Sequence, residues 1–141
     1  MVMNGNNSFK MLDIMQRSMG AASMRSDVIN NNIANATTPN YKRQDVTFQS
    51  ELERALYTEK AYYDIPFKTT NDRHIPIMRP KDYREVKAKK IVEYNTYQNN
   101  NGNSVDIDKE VMEGTKNSMY YNALAQRVAK EFNKIKYLLK S

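Results

Sequence analysis

Apolar residues recur along both ends of the chain at steps that alternate between three and four. The first series runs from Phe9 to Ala36, and the second runs without a break from Ile107 to Leu139. This spacing puts the apolar side chains on one stripe of an α-helix, as in the seam of a coiled coil. It predicts two long terminal helices with seams formed by Leu12, Met15, Met19, Ala22, Ser26, Ile29, Ile33 and Ala36, and by Ile107, Val111, Gly114, Ser118, Tyr121, Ala125, Val128, Phe132, Ile135 and Leu139.

The C-terminal helix carries chemical markers at both of its predicted ends. Asp106 is a candidate N-cap, acidic residues follow it in the first turn, and lysines crowd the last turns, as the helix dipole favours. The first half of its seam contains Gly114, Ser118 and Ala125, small residues that let another backbone approach closely but bury little area. We therefore expect another surface to cover them.

The region between the two helices contains all four prolines and has no long periodicity. Ser50 and Glu53 form a capping-box pattern, which predicts a short helix over residues 50–62. Residues 83–97 are rich in β-branched and aromatic side chains, and an asparagine-rich turn signal follows at residues 99–103. Together they predict a small β-hairpin.

The predicted fold class is mainly α, with long N- and C-terminal helices that form an antiparallel coiled-coil-like pair. Residues 1–40 supply the first helix and residues 105–141 the second, while residues 41–104 form a middle region with a short helix and an extended segment. Two paired helices each keep a half-covered apolar face, which is too little to offset the entropy of ordering. We therefore expect other molecules to complete the packing and the helical ends to fold on assembly.

The composition removes most metal and nucleophile chemistry. The 141 residues include no cysteine and a single histidine, which excludes disulfides, thiol nucleophiles and cysteine-based zinc sites. No stretch approaches the roughly 20 apolar residues that cross a bilayer, so no direct membrane insertion is expected. The first residues lack the blocks of a cleavable signal peptide. The net charge of +6 suits either an anionic partner or simple solubility.

Two further features invite a chemical interpretation. Residues 97–108 resemble a calcium-binding loop in the placement of two asparagines and a glycine, but Tyr97 stands where the first carboxylate is required. His74 has neither a second histidine nor a cysteine as a partner. We interpret the first as a turn leading into a capped helix and the second as a surface or locally hydrogen-bonded residue. No catalytic residue, metal site or cofactor is therefore predicted.

Residues 79–90 form a basic run that contains Tyr83, and nucleic-acid binding uses both positive charge and exposed aromatic rings. Acidic residues interrupt the run, and no DNA- or RNA-binding signature accompanies it, so a solvated edge explains it as well. The alternative function is thus a small basic coiled-coil protein that binds nucleic acid or acts as an adaptor. Salt-sensitive binding that is lost when Lys87, Lys89 and Lys90 are neutralised would identify it.

Four asparagines fall within residues 30–35, although asparagine is a poor helix former. One interpretation is a fraying helix end followed by a turn, because Pro39 holds the preceding residue extended and Asn40 tolerates a left-handed conformation. The other is that the side-chain amides bind neighbouring helices and fix their register, as polar seam residues do in coiled coils.

The same residues carry a resemblance to a known family. Residues 28–41, VINNNIANATTPNY, resemble the N-terminal signature of bacterial flagellar rod and hook proteins. Asn40 stands where that family usually has glycine, and asparagine is the residue next best suited to a positive φ. The short middle region argues against the longer distal-rod and hook members. Resemblance to the proximal-rod members continues at residues 45–49, 70–75, 101–110 and 117–124.

This resemblance implies a structural subunit and not an enzyme. It implies export by the flagellar type III apparatus without a cleavable signal, and assembly at the base of the periplasmic rod, where terminal helices surround the channel. The implied partners are other proximal-rod proteins, further copies of the chain, the adaptor that joins the rod to the MS ring, and the export gate, with no nucleic acid. The predicted assembly interface consists of Met15, Met19, Ile29, Asn32, Ile33, Asn35, Thr38, Pro39, Tyr41, Val111, Ser118, Tyr121, Ala125, Val128, Phe132, Ile135 and Leu139.

Overall fold

The computed structural model describes residues 4–64, 81–93 and 104–140. Helices account for most of this part of the chain, and two short strands lie between the terminal helices. The elements are α1 (Asn4–Ala34), β1 (Gln44–Thr47), α2 (Gln49–Asp64), a 3-10 helix (Tyr83–Glu85), β2 (Lys89–Val92) and α3 (Ile107–Lys140). The predicted fold class, with two long terminal helices, is confirmed.

The helices α1 and α3 pack against each other in opposite directions. Near the end of α1, Asn32 donates a hydrogen bond to Glu110 in the first turn of α3, at 3.0 Å. Further back along α1, the carbonyl oxygen of Ala22 accepts a hydrogen bond from Asn117, at 2.8 Å. Because residue numbers fall along α1 while they rise along α3, the pair is antiparallel, as predicted.

Side chains and a turn residue shape the helix ends that border the middle region. Asp106 caps α3 as predicted, since its Oδ1 accepts from the N–H of Lys109 at 3.2 Å. Past the end of α1, the side chain of Asn35 donates to the carbonyl oxygen of Asn31 at 2.8 Å. In the turn that follows, Asn40 has a φ of 61°, the left-handed conformation predicted for it.

The strands β1 and β2 form a two-stranded antiparallel sheet. The N–H of Glu93 donates to the carbonyl oxygen of Arg43 at 2.9 Å, and this pair sets the register. A strand within residues 83–97 is thus confirmed, but its partner is β1, which lies ahead of α2, and the two strands are not joined by a tight turn. The turn signal at residues 99–103 lies outside the described residues.

The chain divides into two compact units, one formed by residues 1–46 and 88–141 and the other by residues 47–87. Each unit has its own set of buried apolar side chains. In the first unit these are Met15, Ala21, Ala22, Val28, Ile29, Val46 and Val105, and in the second they are Phe48, Leu52, Ala55, Tyr83 and Val86.

The helix α2 begins one residue earlier than the capping-box pattern predicts. Its first backbone hydrogen bond joins the N–H of Leu52 to the carbonyl oxygen of Phe48, at 2.8 Å. Ser50 therefore lies inside the helix and does not occupy the N-cap position. Phe48, Leu52 and Ala55 are all buried, so the first turns of α2 pack through an apolar face.

Candidate functional site

Four polar side chains are buried where the facing ends of α1 and α3 meet β1. They are Asn32, Arg43, Ser104 and Glu110, here called the polar cluster, and their exposed fractions are 0%, 8%, 2% and 0%. Asn32 belongs to α1 and Glu110 to α3, while Arg43 and Ser104 come from the segments that precede β1 and α3. A buried polar group costs free energy unless it is paired, so the partners of these four residues define the site.

Asn32 binds β1 in the way that a neighbouring strand would. Its Nδ2 donates to the carbonyl oxygen of Gln44 at 2.8 Å, and its Oδ1 accepts from the N–H of the same residue at 3.0 Å. The Nδ2 also donates to Glu110 Oε2, and the hydroxyl of Tyr41 donates to Oδ1 at 3.3 Å. One amide therefore joins α1, β1 and α3, with both of its polar atoms satisfied.

Arg43 supplies the positive charge of the polar cluster. Its Nε donates to Glu110 Oε1 at 2.6 Å and its Nη1 to Glu93 Oε1 at 2.8 Å. Burial acts to lower the pKa of Arg43, but the hydrogen bond to Glu110 and the surrounding carboxylate charges outweigh it and raise that pKa. The guanidinium is therefore charged, and Glu110 uses one oxygen for Arg43 and the other for Asn32.

Backbone groups tie the polar cluster to the segments around it. The N–H of Arg43 donates to Ser104 Oγ at 2.8 Å, and the N–H of Ser104 faces the carbonyl oxygen of Tyr41 at 3.4 Å. Burial and then the charge of Glu110 raise the pKa of Tyr41, so its phenol is a proton donor over the physiological range. These contacts hold the start of α3 against the turn that follows α1.

A small residue lets the two helices approach closely beside the polar cluster. A Cβ atom placed on Gly114 would lie 3.5 Å from Cγ2 of Ile29, which is ordinary van der Waals contact. One turn further along α3, Asn117 is buried and reaches the carbonyl oxygen of Ala22. The predicted close approach at Gly114 is therefore present inside the chain.

The buried stripe of α1 differs from the predicted seam at alternate positions. Met15, Ala22 and Ile29 are buried as predicted, whereas Met19 and Ile33 are partly exposed and Ser26 is exposed. Ser18 and Asn32 are buried in their place. Polar residues can take these positions because hydrogen bonds satisfy them, since Ser18 donates to the carbonyl oxygen of Ile14 and Asn32 joins the polar cluster.

The correction to the α3 seam is larger. Polar or small residues, Glu110, Gly114 and Asn117, lie against α1 in the first half of the helix. Two residues of the predicted seam, Val111 and Ser118, are exposed there instead. Apolar spacing identifies a stripe but not the surface that covers it. The contact with α1 includes the predicted seam residue Gly114, and the hydrogen-bonded residues Glu110 and Asn117 lie beside it.

The helix α3 also presents large apolar side chains to solvent along its length. Their exposed fractions reach 82% at Leu139, near the end of the helix. Exposed apolar side chains that share one stripe of a helix form a surface suited to contact with another molecule. Steps of eleven and seven place Tyr121, Phe132 and Leu139 on one such stripe, which continues the stripe of Gly114, and we call these three exposed side chains the outward face of α3.

The residues predicted to form the assembly interface fall into three groups. Met15, Ile29 and Asn32 are buried within the chain. Those partly exposed are Met19, Ile33, Asn35, Tyr41, Ala125, Val128 and Ile135. Those exposed are Thr38, Pro39, Val111, Ser118, Tyr121, Phe132 and Leu139. For all three groups the interface remains a prediction.

Three other features of the sequence find no site in the described chain. His74 lies outside the described residues, as do residues 97–103 of the calcium-like segment. Within the basic run, Tyr83 is buried, and the Arg84 guanidinium lies 5.5 Å from its ring centroid, so this ring is not free to stack on a base. The described residues hold no cluster of three or more potential metal ligands, and no helix among them is long and apolar enough to span a membrane.

Sequence reasoning missed the central ion pair of the polar cluster. Glu110 had an adequate explanation as a first-turn acid that complements the helix dipole, and Arg43 lies within an ordinary polar stretch. The spacing of seven between Glu110 and Asn117 was the available signal, because it places two polar residues on the stripe that also holds Gly114. Only the fold brings Arg43 to that stripe.

Two long antiparallel helices, joined at one end by a polar cluster and apolar on an outward face, define a helical structural protein built to pack against neighbours. The family described as flagella basal body rod protein matches residues 12–42. The chain is 36% identical over 135 residues to the flagellar basal body rod protein FlgB of Borreliella burgdorferi, covering 96% of this chain and 99% of that protein. It is 33% identical over 125 residues to FlgB of Bacillus subtilis, covering 89% of each chain. The chain belongs to the FlgB family of flagellar basal body rod proteins, and its role is structural.

Proposed function

We propose that this chain is a subunit of the proximal rod of the bacterial flagellum. In this proposal it polymerises through its terminal helices into the drive shaft that transmits torque and surrounds the export channel. The observation that carries the proposal is the outward face of α3, where Phe132 is 59% and Leu139 82% exposed. Burying such side chains is worth about 1.5–3 kcal/mol each, so neighbouring helices that cover them supply a strong drive for assembly.

The polar cluster gives this outward face a defined position. Asn32 contacts both Gln44 and Glu110, and a shift of α3 by one turn, about 5.4 Å, would break the second contact and bury an unpaired carboxylate. A fixed stagger matters for a polymer, because repeated contacts between identical or homologous surfaces build an open tube only when every subunit presents the same geometry.

The proposed setting follows from the family and from the signature at residues 28–41. The partners are further copies of the chain, the other proximal-rod proteins, the adaptor that joins the rod to the MS ring, and the export gate. The chain reaches the periplasmic rod through the flagellar export apparatus, and it has no enzymatic role.

The test is a matched pair of substitutions on the outward face. Phe132→Asp places a carboxylate at the centre of the proposed contact, while Asn133→Asp makes the same charge change at the next exposed residue, which is already polar. In a flagellated host, we expect F132D to abolish swimming and to remove the subunit from purified basal bodies, with expression unchanged. We expect N133D to swim normally.

The two variants separate assembly from folding. If F132D basal bodies contained the normal amount of the subunit, the outward face would not be the assembly surface. If both variants were degraded before export, the comparison would be repeated with Phe132→Ser, which removes apolar area without adding charge. Retained swimming of F132S would also count against the proposal.

A further inference from the structure

The outer edges of β1 and β2 differ in whether side chains bind their backbone N–H and C=O groups. In an antiparallel ladder, successive residues alternately turn their N–H and C=O groups toward and away from the partner strand. Because Arg43 and Glu93 form a hydrogen-bonded pair, the backbone N–H and C=O groups of Gln44 and Val46 face away from β2. Asn32 takes both backbone groups of Gln44, Arg25 donates to the carbonyl oxygen of Val46 at 2.7 Å, and the N–H of Val46 donates to Asp45 Oδ1 at 2.6 Å.

The same alternation turns the N–H and C=O groups of Lys90 and Val92 away from β1. No side chain in the described chain closes this edge as α1 closes the edge of β1. All four residues of β2 are exposed, with Ile91 at 44% and Val92 at 40%. An exposed strand edge offers its unpaired N–H and C=O groups to another strand.

We infer that the outer edge of β2 binds β2 of a second copy of the chain, in antiparallel orientation, to form a four-stranded sheet. The register that pairs Lys90 with Val92 of the second copy uses all four free backbone groups of each strand. It places Ile91 directly opposite its own counterpart, and Lys89 opposite Glu93 of the second copy. Opposite charges and two β-branched side chains in direct cross-strand pairs stabilise a sheet.

Neighbouring registers lack this complementarity. A shift of the second strand by two residues in one direction sets Lys90 against Lys90, and like charges directly opposite each other are destabilising. The contact is small, so we expect a weak dimer with a dissociation constant of roughly 0.1–1 mM. Its two-fold symmetry cannot propagate a polar tube, so the pairing belongs to the free subunit and leaves the outward face of α3 uncovered. The inference does not depend on the rod assignment.

The absence of cysteine from the sequence permits a direct test with single-cysteine variants of the full chain. Residues directly opposite in a non-hydrogen-bonded pair have Cα atoms about 4.5 Å apart, which lies within the range that a disulfide bridges. We expect Ile91→Cys to form a disulfide-linked dimer about tenfold faster than Lys89→Cys or Lys90→Cys under mild oxidation. Equal rates at the three positions, or no dimer from I91C, would overturn the inference.

Lys90→Pro tests the backbone pairing without a disulfide. Proline removes an N–H that faces outward, so the ladder with β1 is kept while the second copy loses a donor. In analytical ultracentrifugation up to millimolar concentration, we expect the unmodified chain to dimerise, K90P to stay monomeric, and Lys87→Pro, outside β2, to dimerise normally. A dimer that survives in K90P but is lost in F132D would assign the association to α3 and overturn the β2 contact.

Discussion

The two ends of α3 differ in the kind of residue that they bury or expose. In its first three turns, Glu110 and Asn117 are buried and meet partners within the chain. In its last turns, Leu138 and Leu139 are more than two thirds exposed, at 72% and 82%. At these positions the common arrangement, with apolar residues inside and polar residues outside, is reversed.

The two ends of α3 thus have different roles. The buried polar residues fix the position of α3 within the subunit, and the exposed apolar residues are available for contact with other subunits. Hydrogen bonds at the polar cluster are directional, so they hold α3 in one position against α1. Apolar contact is not directional, and the exposed apolar side chains in the last turns of α3 are available for the contact with neighbouring subunits that we propose. We expect the polar cluster to keep its end of the helix pair folded in the free subunit, while the far ends become protected from hydrogen exchange only after assembly.

The largest expected effect comes from removing the carboxylate at the centre of the polar cluster. Glu110→Ala leaves the Arg43 guanidinium buried without its main partner, and breaking a buried pair in this way costs about 3–5 kcal/mol. Urea denaturation followed by circular dichroism would measure the loss. Glu113→Ala is the matched control, because Glu113 pairs with Lys116 at the surface, and we expect it to cost no more than about 1 kcal/mol. Equal losses in the two variants would contradict the importance assigned to the polar cluster.

A smaller loss is expected from Asn32→Ala. This change leaves the N–H and C=O of Gln44 without the amide that binds them, at a cost of about 1–3 kcal/mol. Asn31, which is exposed on the same turn, provides the control, and we expect Asn31→Ala to be nearly neutral. Hydrogen exchange at the Gln44 amide should rise in N32A alone. Unchanged exchange there would show that β1 does not depend on Asn32.

The third prediction is a modest gain in stability when Gly114 is replaced by alanine. Gly114→Ala places its methyl group in ordinary contact with Ile29, and alanine is favoured over glycine in a helix by about 1 kcal/mol. We expect thermal denaturation at a higher temperature for G114A. Gly114→Leu exceeds the available space and should lower it. A loss of stability in G114A would mean that the helices lie closer together than the structure shows.

The smallest effect concerns pH. The pKa of Tyr41 is raised in the folded chain by burial and by Glu110, so the folded state holds the phenol proton more tightly than the unfolded state. The stability from this proton is fully present below the usual tyrosine pKa of about 10 and is lost as the pH rises through the higher folded value. Denaturation between pH 8 and 11 should therefore show a steeper decline for the unmodified chain than for Tyr41→Phe. If the stability of both proteins declined in parallel with pH, the role assigned to the Tyr41 hydroxyl would be contradicted.

Much of the fold could be predicted because its signals are local. The long helices follow from a spacing of three and four, the start of α3 from Asp106, and the left-handed turn from Asn40. The short helix expected near residues 50–62 is present as α2, although Ser50 lies inside it and the buried Phe48 precedes it.

The polar cluster could not be predicted in the same way, because its parts are far apart in sequence. Arg43 and Glu110 are separated by 67 positions, and no local pattern links them. The sequence by itself determined which stretches are helical, which residues are apolar, and which family signature the turn after α1 carries. Only the tertiary structure decided which stripe of α3 lies against α1, because pairing energies between distant polar groups exist only once the chain has brought those groups together.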